Sequence, residues 1–293
     1  MDLVKFETFL SIVERGSYSK ACEDLGYTLS GISKMMKSME EEIGIPLIVR
    51  TNKGIHVTPE GETIIPYIRQ LVNDKEIIEE ELALMKGVES GRIRIGCFPT
   101  VSFSLVPEII NYFKENHPNI SIEVTEENGI KNLEQWLNQG IIDVAIFSRQ
   151  PYHNYDWTNL QEDSYVALFN REHRFMDYDV VPVDELFDEE MVLFKSHEGI
   201  DQDVIQVMKH VEGKKMPRYT TNSDFTAIRL TEKLGFVTLL PELIARNAVK
   251  TFDVDYRPID VNVCREIGFA VRDAKRLSPA VKQLLKYAKD MEL

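Results

Sequence analysis

The sequence has 293 residues, of which 43% are hydrophobic and 28% are charged, and this balance excludes a disordered chain. Its 34 lysines and arginines against 48 aspartates and glutamates give a net charge of −14, which argues against a uniformly basic nucleic-acid-binding protein. No run of about 18 apolar residues is present, and the three cysteines, Cys22, Cys97 and Cys264, form neither a CxxC motif nor a disulfide framework. We therefore expect at least two folding units, a cytoplasmic location, no membrane span and no metal site.

The first 26 residues predict two helices and a turn. Residues 3 to 15 place apolar side chains at helical spacing and end before Gly16, so they form the first helix. Ser17 is the expected N-cap of a second helix, residues 18 to 25, and Gly26 supplies the tight turn that follows it. Such a glycine turn after a short helix is typical of the helix-turn-helix motif.

Thr28 is the expected N-cap of a third helix. The apolar residues of this helix recur at intervals of four, three and four, which turns a different set of side chains outward: Leu29, Ser30, Ser33, Lys34 and Lys37. This outward set starts at a helix N-terminus and lies in a stretch without carboxylates, as a phosphate-flanked major groove requires. An ordinary solvated helix face is the alternative.

Two short strands are predicted between Pro46 and Val57. They flank a turn at residues 52 to 54, and the resulting hairpin carries Arg50 and Lys53. A basic hairpin next to a helix-turn-helix could lie on the DNA backbone or in the minor groove. The segment is therefore predicted to be the wing of a winged module.

A long helix is predicted after the wing. Thr58 and Pro59 open it, and its apolar positions alternate by four and three residues as far as Lys86, interrupted once by Lys75. Pro66 predicts a local kink, because the apolar period continues across it. We expect this helix to pair with the same helix of a second copy and form a homodimer. Packing on its own domain is the alternative.

The N-terminal 61 residues resemble the DNA-binding region of LysR-type transcriptional regulators. The resemblance depends on a spaced set of residues: Phe9, Gly16, Ser17, Ala21, Leu25, Ser33, Lys34, Met39, Glu40, Gly44, Pro46, Leu47, Arg50, Thr51, Gly54, Thr58 and Gly61. Where the family typically has Gln-Pro at the start of the third helix, this chain has Leu29 and Ser30. Two roles remain open for Leu29, namely contact with a thymine methyl group and packing against the second helix.

Strand-like runs alternate with amphipathic helices from Arg92 onward, and the alternation occurs twice. This pattern predicts two similar α/β subdomains with a mostly parallel sheet. The LysR resemblance extends over these residues and implies a two-lobed, periplasmic-binding-protein-like effector domain, which the alternation alone would not distinguish from other doubly wound folds. The implied organisation is a winged helix-turn-helix (1–61), a linker and dimerisation helix (62–86) and an effector domain (87–293), with lobe 1 at about 91–161 and 267–293 and lobe 2 at about 162–266.

The loops that follow strands in the effector domain are the candidate ligand contacts, because ligands bind at the carboxyl ends of strands in open α/β sheets. This rule selects nine residues: Thr100, Val101, Ser102, Phe147, Ser148, Ser196, His197, Asn222 and Ser223. Helix capping is the alternative role for each hydroxyl in this set. For His197 the alternative is an exposed loop histidine.

The prediction that joins these features is a bacterial LysR-type regulator. Paired winged modules bind double-stranded promoter DNA, and a small organic metabolite held between the lobes changes DNA binding and bending. The resemblance implies a homotetramer assembled from dimers and leaves RNA polymerase as a further candidate partner. No HExxH, G-x-S-x-G, P-loop or G-x-G-x-x-G motif is present, so neither an enzyme nor a cofactor is expected. The alternatives are redox sensing through Cys97 and a small-molecule-binding protein without DNA activity.

Overall fold

The computed structural model describes residues 2–51, 54–196, 199–200, 202–211 and 217–290. The predicted site residues Lys53 and His197 lie outside these ranges. The chain forms two compact units, Met1–Glu89 with Asn138–Ile141, and Ser90–Leu137 with Ile142–Leu293. Across the described residues, no helix combines the length and the apolar composition that crossing a membrane requires.

The first unit contains four helices and a two-stranded hairpin among its described residues: α1 (Leu3–Arg15), α2 (Tyr18–Leu25), α3 (Leu29–Ile43), β1 (Ile48–Thr51), β2 (Gly54–Val57) and α4 (Pro59–Met85). The predicted helix-turn-helix is α2 and α3, joined at Gly26, whose φ of +69° favours glycine. Ser17 occupies the N-cap position of α2, but its side chain makes no capping hydrogen bond, which corrects the capping role predicted for it.

The core of the first unit comes from the apolar stripes of α1 and α3. Phe9, Ile12, Ile32 and Met39 are fully buried there, as the helical periodicity predicts. The N-terminus of α4 lies very close to β1, since a Cβ atom on Gly61 would stand 2.5 Å from the carbonyl oxygen of Leu47. A side chain at this position would push α4 away from the wing.

Helix α4 continues through Pro66, so the proline does not end it. As far as Lys75 the helix packs on its own domain, where the guanidinium of the buried Arg69 contacts Glu14 at 3.0 Å and the ammonium of Lys75 contacts Glu7 at 2.9 Å. Four apolar side chains of the predicted seam are nevertheless exposed: Leu71, Ile78, Leu82 and Met85. The intramolecular packing mode is therefore observed as far as Lys75, and pairing with a second copy of the helix stays a prediction.

The second unit is an α/β domain. Its elements are β3 (Gly91–Cys97), α5 (Pro99–Ser104), α6 (Val106–Asn116), β4 (Ile120–Glu126), α7 (Ile130–Asn138), β5 (Val144–Ser148), β6 (Asp156–Asn170), α8 (Val183–Leu186), β7 (Val192–Ser196), β8 (Gly199–Ile200), α9 (Gln202–Met208), β9 (Tyr219–Thr221), α10 (Asp224–Leu234), β10 (Thr238–Pro241), α11 (Glu242–Thr251), β11 (Val254–Pro258), β12 (Cys264–Val271) and α12 (Pro279–Asp290).

The long strand β6 connects the two lobes of this unit. Its first part, to Ser164, pairs with β12, and its second part, from Tyr165, pairs with β10 and β11. Lobe 1 is therefore built around β3, β4, β5 and β12, and lobe 2 around β10, β11 and the small sheet β8–β7–β9.

The prediction of a mostly parallel sheet is wrong for the seven-stranded sheet. Only the pairs β3–β4 and β3–β5 are parallel among its described strands, and the four pairs that involve β6 or β12 are antiparallel. The physical reason is the crossover between lobes. The chain leaves lobe 1 along β6 and returns along β12, and two neighbouring strands that carry the chain out and back must run in opposite directions.

Candidate functional site

The outward face of α3 is exposed in the folded unit. Leu29, Ser30, Lys34 and Lys37 are exposed and Ser33 is partly exposed, whereas the opposite face is buried in the core. Thr28 caps the helix, because its Oγ1 accepts a hydrogen bond from the Gly31 amide at 3.1 Å. The face therefore presents short hydroxyls and lysines from the first turn of a capped helix, which is the geometry that a major groove accepts.

Lys37 is less free than the sequence indicates. Its ammonium lies 3.6 Å from a carboxylate oxygen of Glu41, one turn later on the same helix. Both side chains are largely exposed, so the pair is weak and water competes with it. A DNA phosphate that approached Lys37 would have to displace only this surface contact.

The wing is an antiparallel hairpin in which Ile48 pairs with Val57. Arg50 is exposed on β1, and its guanidinium lies 4.0 Å from the ring centroid of Tyr18, at the start of α2. This cation–π contact holds the arginine near the N-terminus of α2. The wing and the helix-turn-helix therefore present their polar side chains together.

The second unit contains a cleft between its lobes, and the 430 Å³ or so of empty space in this cavity includes space open to solvent. Lobe 1 contributes residues that follow the carboxyl ends of β3 and β4: Phe98, Pro99, Thr100 and Asn128. Lobe 2 contributes mostly apolar residues: Tyr165, Phe194, Val204, Asp224, Leu239, Leu240 and Pro241. Arg265 comes from β12. The walls are thus largely aromatic and aliphatic, with a few polar groups, as in sites for small organic molecules.

Arg265, which lines this cavity, belongs to a buried ion pair. The Arg265 guanidinium donates to Oδ2 of Asp163 from Nη2 at 2.8 Å and from Nε at 3.1 Å, and both side chains are at least 95% buried. The same Nη2 donates to Thr100 Oγ1 at 3.3 Å. A threonine hydroxyl that accepts a hydrogen bond still has one proton to donate to another acceptor.

The two lobes are closed over the cavity. The Phe103 ring on α5 meets the Phe225 ring on α10 edge to face, with 5.1 Å between centroids. The side-chain amide of Asn128 donates to the carbonyl of Asn222 at 3.4 Å. Helices from opposite lobes are therefore in direct contact at the entrance.

Of the nine predicted effector contacts, only Thr100 lines the cavity within the described part of the chain. Val101 and Phe147 are fully buried in lobe 1, Val101 on α5 and Phe147 in β5, all five residues of which are buried. Ser102 interacts with the Cys97 thiol, and Ser148 pairs through its backbone with Ile267.

The other predicted contacts have local roles. Ser196 Oγ donates to the carbonyl of Gly199 at 3.3 Å, and Ser223 Oγ accepts from the amide of Thr226 as the cap of α10. The carbonyl of Asn222 accepts a hydrogen bond from Asn128, which lines the cavity. The capping alternative is therefore the observed role of Ser223, and the neighbouring Asp224 is the residue that lines the cavity.

Several cavity residues were missed at the level of sequence. Asn128 follows β4, so the rule that selects strand carboxyl ends would have found it if applied to that loop. Arg265, which lines the cavity, and its buried partner Asp163 have no such signal, because they are 102 residues apart and lie inside strands. Only the pairing of β6 with β12 brings them together.

Cys97 is buried at the end of β3. Burial, together with the nearby charge of Glu126, raises the pKa of its thiol to about 12, against a smaller opposing effect of the hydrogen bond with Ser102. The thiolate is the form that reacts with oxidants, and it is scarce at neutral pH when the pKa is this high. This environment argues against redox sensing through Cys97.

A winged helix-turn-helix followed by a two-lobed α/β domain with a closed cleft defines a ligand-responsive DNA-binding regulator. The family model described as LysR substrate binding domain matches residues 86–292, and the one described as bacterial regulatory helix-turn-helix protein, lysR family, matches residues 3–62. The chain belongs to the LysR family of bacterial transcriptional regulators, which are not enzymes.

Curated relatives cover both units. The chain is 26% identical to the uncharacterized HTH-type transcriptional regulator YvbU of Bacillus subtilis over 292 residues, 99% of each protein. It is 29% identical to the HTH-type transcriptional regulator BenM of Acinetobacter baylyi over 202 residues, 67% of this chain and 65% of BenM.

Solved structures have the same fold at lower identity. A full-length OxyR variant from Pseudomonas aeruginosa has a TM-score of 0.77 at 20% identity, over 100% of this chain and 95% of that one. Full-length CbnR in complex with its target DNA has a TM-score of 0.71 at 16% identity, over 99% of this chain and 100% of that one. These likenesses confirm the predicted fold class.

Proposed function

We propose that this regulator binds promoter DNA through α3 and the wing, and that a small organic metabolite in the cavity changes that binding. The observation that carries the proposal is the presence, in one chain, of an exposed lysine- and serine-bearing helix face and a closed cleft lined by groups from two lobes. A ligand that favours one lobe arrangement shifts the equilibrium toward it, and DNA affinity follows if that arrangement alters the spacing of the modules.

The DNA contacts fall into two classes. Leu29, Ser30 and Ser33 stand at the first turns of α3 and are assigned to base edges and the adjacent backbone, while Thr28 holds the helix N-terminus. A second group is assigned to phosphates and to the flanking groove: Ser17, Lys34, Lys37, Arg50 and Lys53.

Assembly is proposed through α4. Leu71, Ile78, Leu82 and Met85 form an exposed seam with alternating spacing, and a second copy of α4 would bury it. A dimer formed in this way presents two α3 helices to two half-sites, about one helical turn or a multiple of it apart. The proposal extends to a homotetramer assembled from two such dimers and to contact with RNA polymerase. Both would form in the cytoplasm, where the promoter is.

The metabolite is proposed to be small and partly apolar. Phe98, Tyr165 and Phe194 provide aromatic surface, and the Thr100 hydroxyl offers a proton to a ligand oxygen or nitrogen. The binding-only alternative, a small-molecule-binding protein without DNA activity, gives no role to the α3 face.

Selection of genomic fragments by the purified full-length protein tests the function. We expect enrichment of a few upstream regions with paired half-sites, and metabolites related to the adjacent genes should change affinity for those fragments. The proposal would be contradicted if the protein were a monomer and bound random duplexes as tightly as it binds any genomic fragment.

A further inference from the structure

Leu29 is an exposed apolar side chain on the outward face of α3. It is 53% exposed, whereas Ile32, less than one turn later, is fully buried. Within the described chain, Leu29 is not one of the side chains that form or pack against the core of the first unit. Packing against α2, the simpler role for a leucine at this position, therefore does not account for its exposed part.

The position of Leu29 on the helix directs it away from the protein. It is the first residue of α3, after the Thr28 cap, and helical side chains tilt toward the helix N-terminus. Recognition helices enter the major groove with their N-terminal residues closest to the base edges. The neighbouring Ser30 and Ser33 are short, so they allow this close approach, and Lys34 stands one turn further along for the phosphates.

The chemistry of the groove then limits what Leu29 can contact favourably. Base edges in the major groove carry hydrogen-bond donors and acceptors, and thymine alone adds a methyl group. A leucine placed on a polar edge would remove water from that edge without replacing its hydrogen bonds, which is unfavourable. A leucine placed on the thymine methyl buries two apolar surfaces together.

We propose that Leu29 is a specificity-determining residue that contacts the 5-methyl group of one thymine in each half-site. The proposal rests on the proposed binding of DNA through α3 and adds to it the identity of one base. It requires the thymine to occupy the same position in both half-sites, because the two copies of α3 in a dimer are equivalent.

The test uses duplexes selected by the full-length protein from a randomised pool. Each thymine of the selected sequence is replaced in turn by deoxyuridine, which differs only by lacking the methyl group. By equilibrium fluorescence anisotropy at fixed salt, we expect replacement at one position to weaken wild-type binding about fourfold per half-site, the value of one buried methyl. Leu29→Ala should bind the thymine and uracil duplexes with equal affinity.

Leu3→Ala is the matched control, because it truncates another exposed leucine of the same unit, on α1. It should keep the wild-type response to uracil. The midpoints of urea denaturation are compared for Leu29→Ala and the wild type. Equal midpoints confirm that the variant is folded.

Three results would overturn the assignment: no thymine whose replacement by uracil weakens binding, an unchanged response in Leu29→Ala, or selection that enriches no sequence. Tight, sequence-selective binding without a uracil effect would remove only the role of Leu29. Failure to bind any duplex would remove both this role and the proposed function.

Discussion

The proposed DNA-binding face of α3 and the cleft of the second unit differ in how their residues are brought together. The α3 face comes from a single segment of ten residues, Thr28 to Lys37, held by one helix. The cleft joins residues as distant as Thr100 and Arg265, which are 165 positions apart. A change on the α3 face should therefore alter one contact at a time, whereas a change in the cleft should affect stability and ligand binding together.

The largest expected effect is on the buried pair of the cleft. Asp163→Ala leaves the Arg265 guanidinium buried without its carboxylate, which should lower the free energy of unfolding by about 3–5 kcal/mol. Urea unfolding monitored by tryptophan fluorescence measures this free energy, because Trp136 and Trp157 both belong to the second unit.

Glu266→Ala is the control for this change. Glu266 lies on the strand that also carries Arg265, and its carboxylate is 3.0 Å from the guanidinium of Arg149 in an exposed ion pair. Its removal should lower the free energy of unfolding by about 1 kcal/mol or less. Equal losses for the two variants would contradict the distinction between a buried and an exposed pair.

The seam of α4 is the next largest test. Leu82→Asp places a carboxylate in the proposed dimer interface, and with two copies affected it should weaken dimerisation by about 3 kcal/mol, or roughly 100-fold. Leu84→Asp is the matched control, since both leucines are about half exposed and lie two residues apart on different sides of the helix. Sedimentation equilibrium should show a shift toward monomer for Leu82→Asp alone, and equal shifts would argue against the seam.

A smaller effect separates two neighbouring hydroxyls in lobe 1. Thr100→Val removes a hydroxyl that lines the cavity, and the affinity for a metabolite identified with the selected promoter should fall by about 1 kcal/mol, roughly fivefold. Ser102→Ala should leave that affinity unchanged, because Ser102 interacts with Cys97 rather than the cavity. Isothermal titration calorimetry distinguishes them, and unchanged affinity in both variants would exclude Thr100.

The smallest expected effect concerns a phosphate contact of α3. Lys34→Ala should reduce the slope of log affinity against log salt by about 1, with a similar loss for every DNA sequence. Lys114→Ala, an exposed lysine on α6 of the second unit, is the control. A wild-type slope in Lys34→Ala would show that Lys34 does not contact a phosphate.

The sequence was most informative where function depends on neighbouring residues. The helices of the first unit, the Thr28 and Thr58 caps and the exposed α3 face follow from periodicity and capping chemistry, because these act over one or two turns. The LysR membership was likewise recognisable from spaced residues in the first 61 positions.

The sequence was less informative for the cleft. It identified the correct sheet edge and Thr100, but it assigned Val101 and Phe147 to a cavity that they do not line. A strand-end rule indicates which loops are near a ligand, and side-chain direction within each loop depends on packing from both lobes.

By itself, the sequence determined the order of elements in the first unit, the helix-turn-helix and its outward face, because hydrophobic period and caps are local properties of the chain. The tertiary structure alone decided that β6 and β12 run side by side in opposite directions, and that Arg265 therefore meets Asp163 and Thr100 in the wall of the cavity. The physical reason is distance along the chain, since no local rule relates residues that only strand pairing brings into contact.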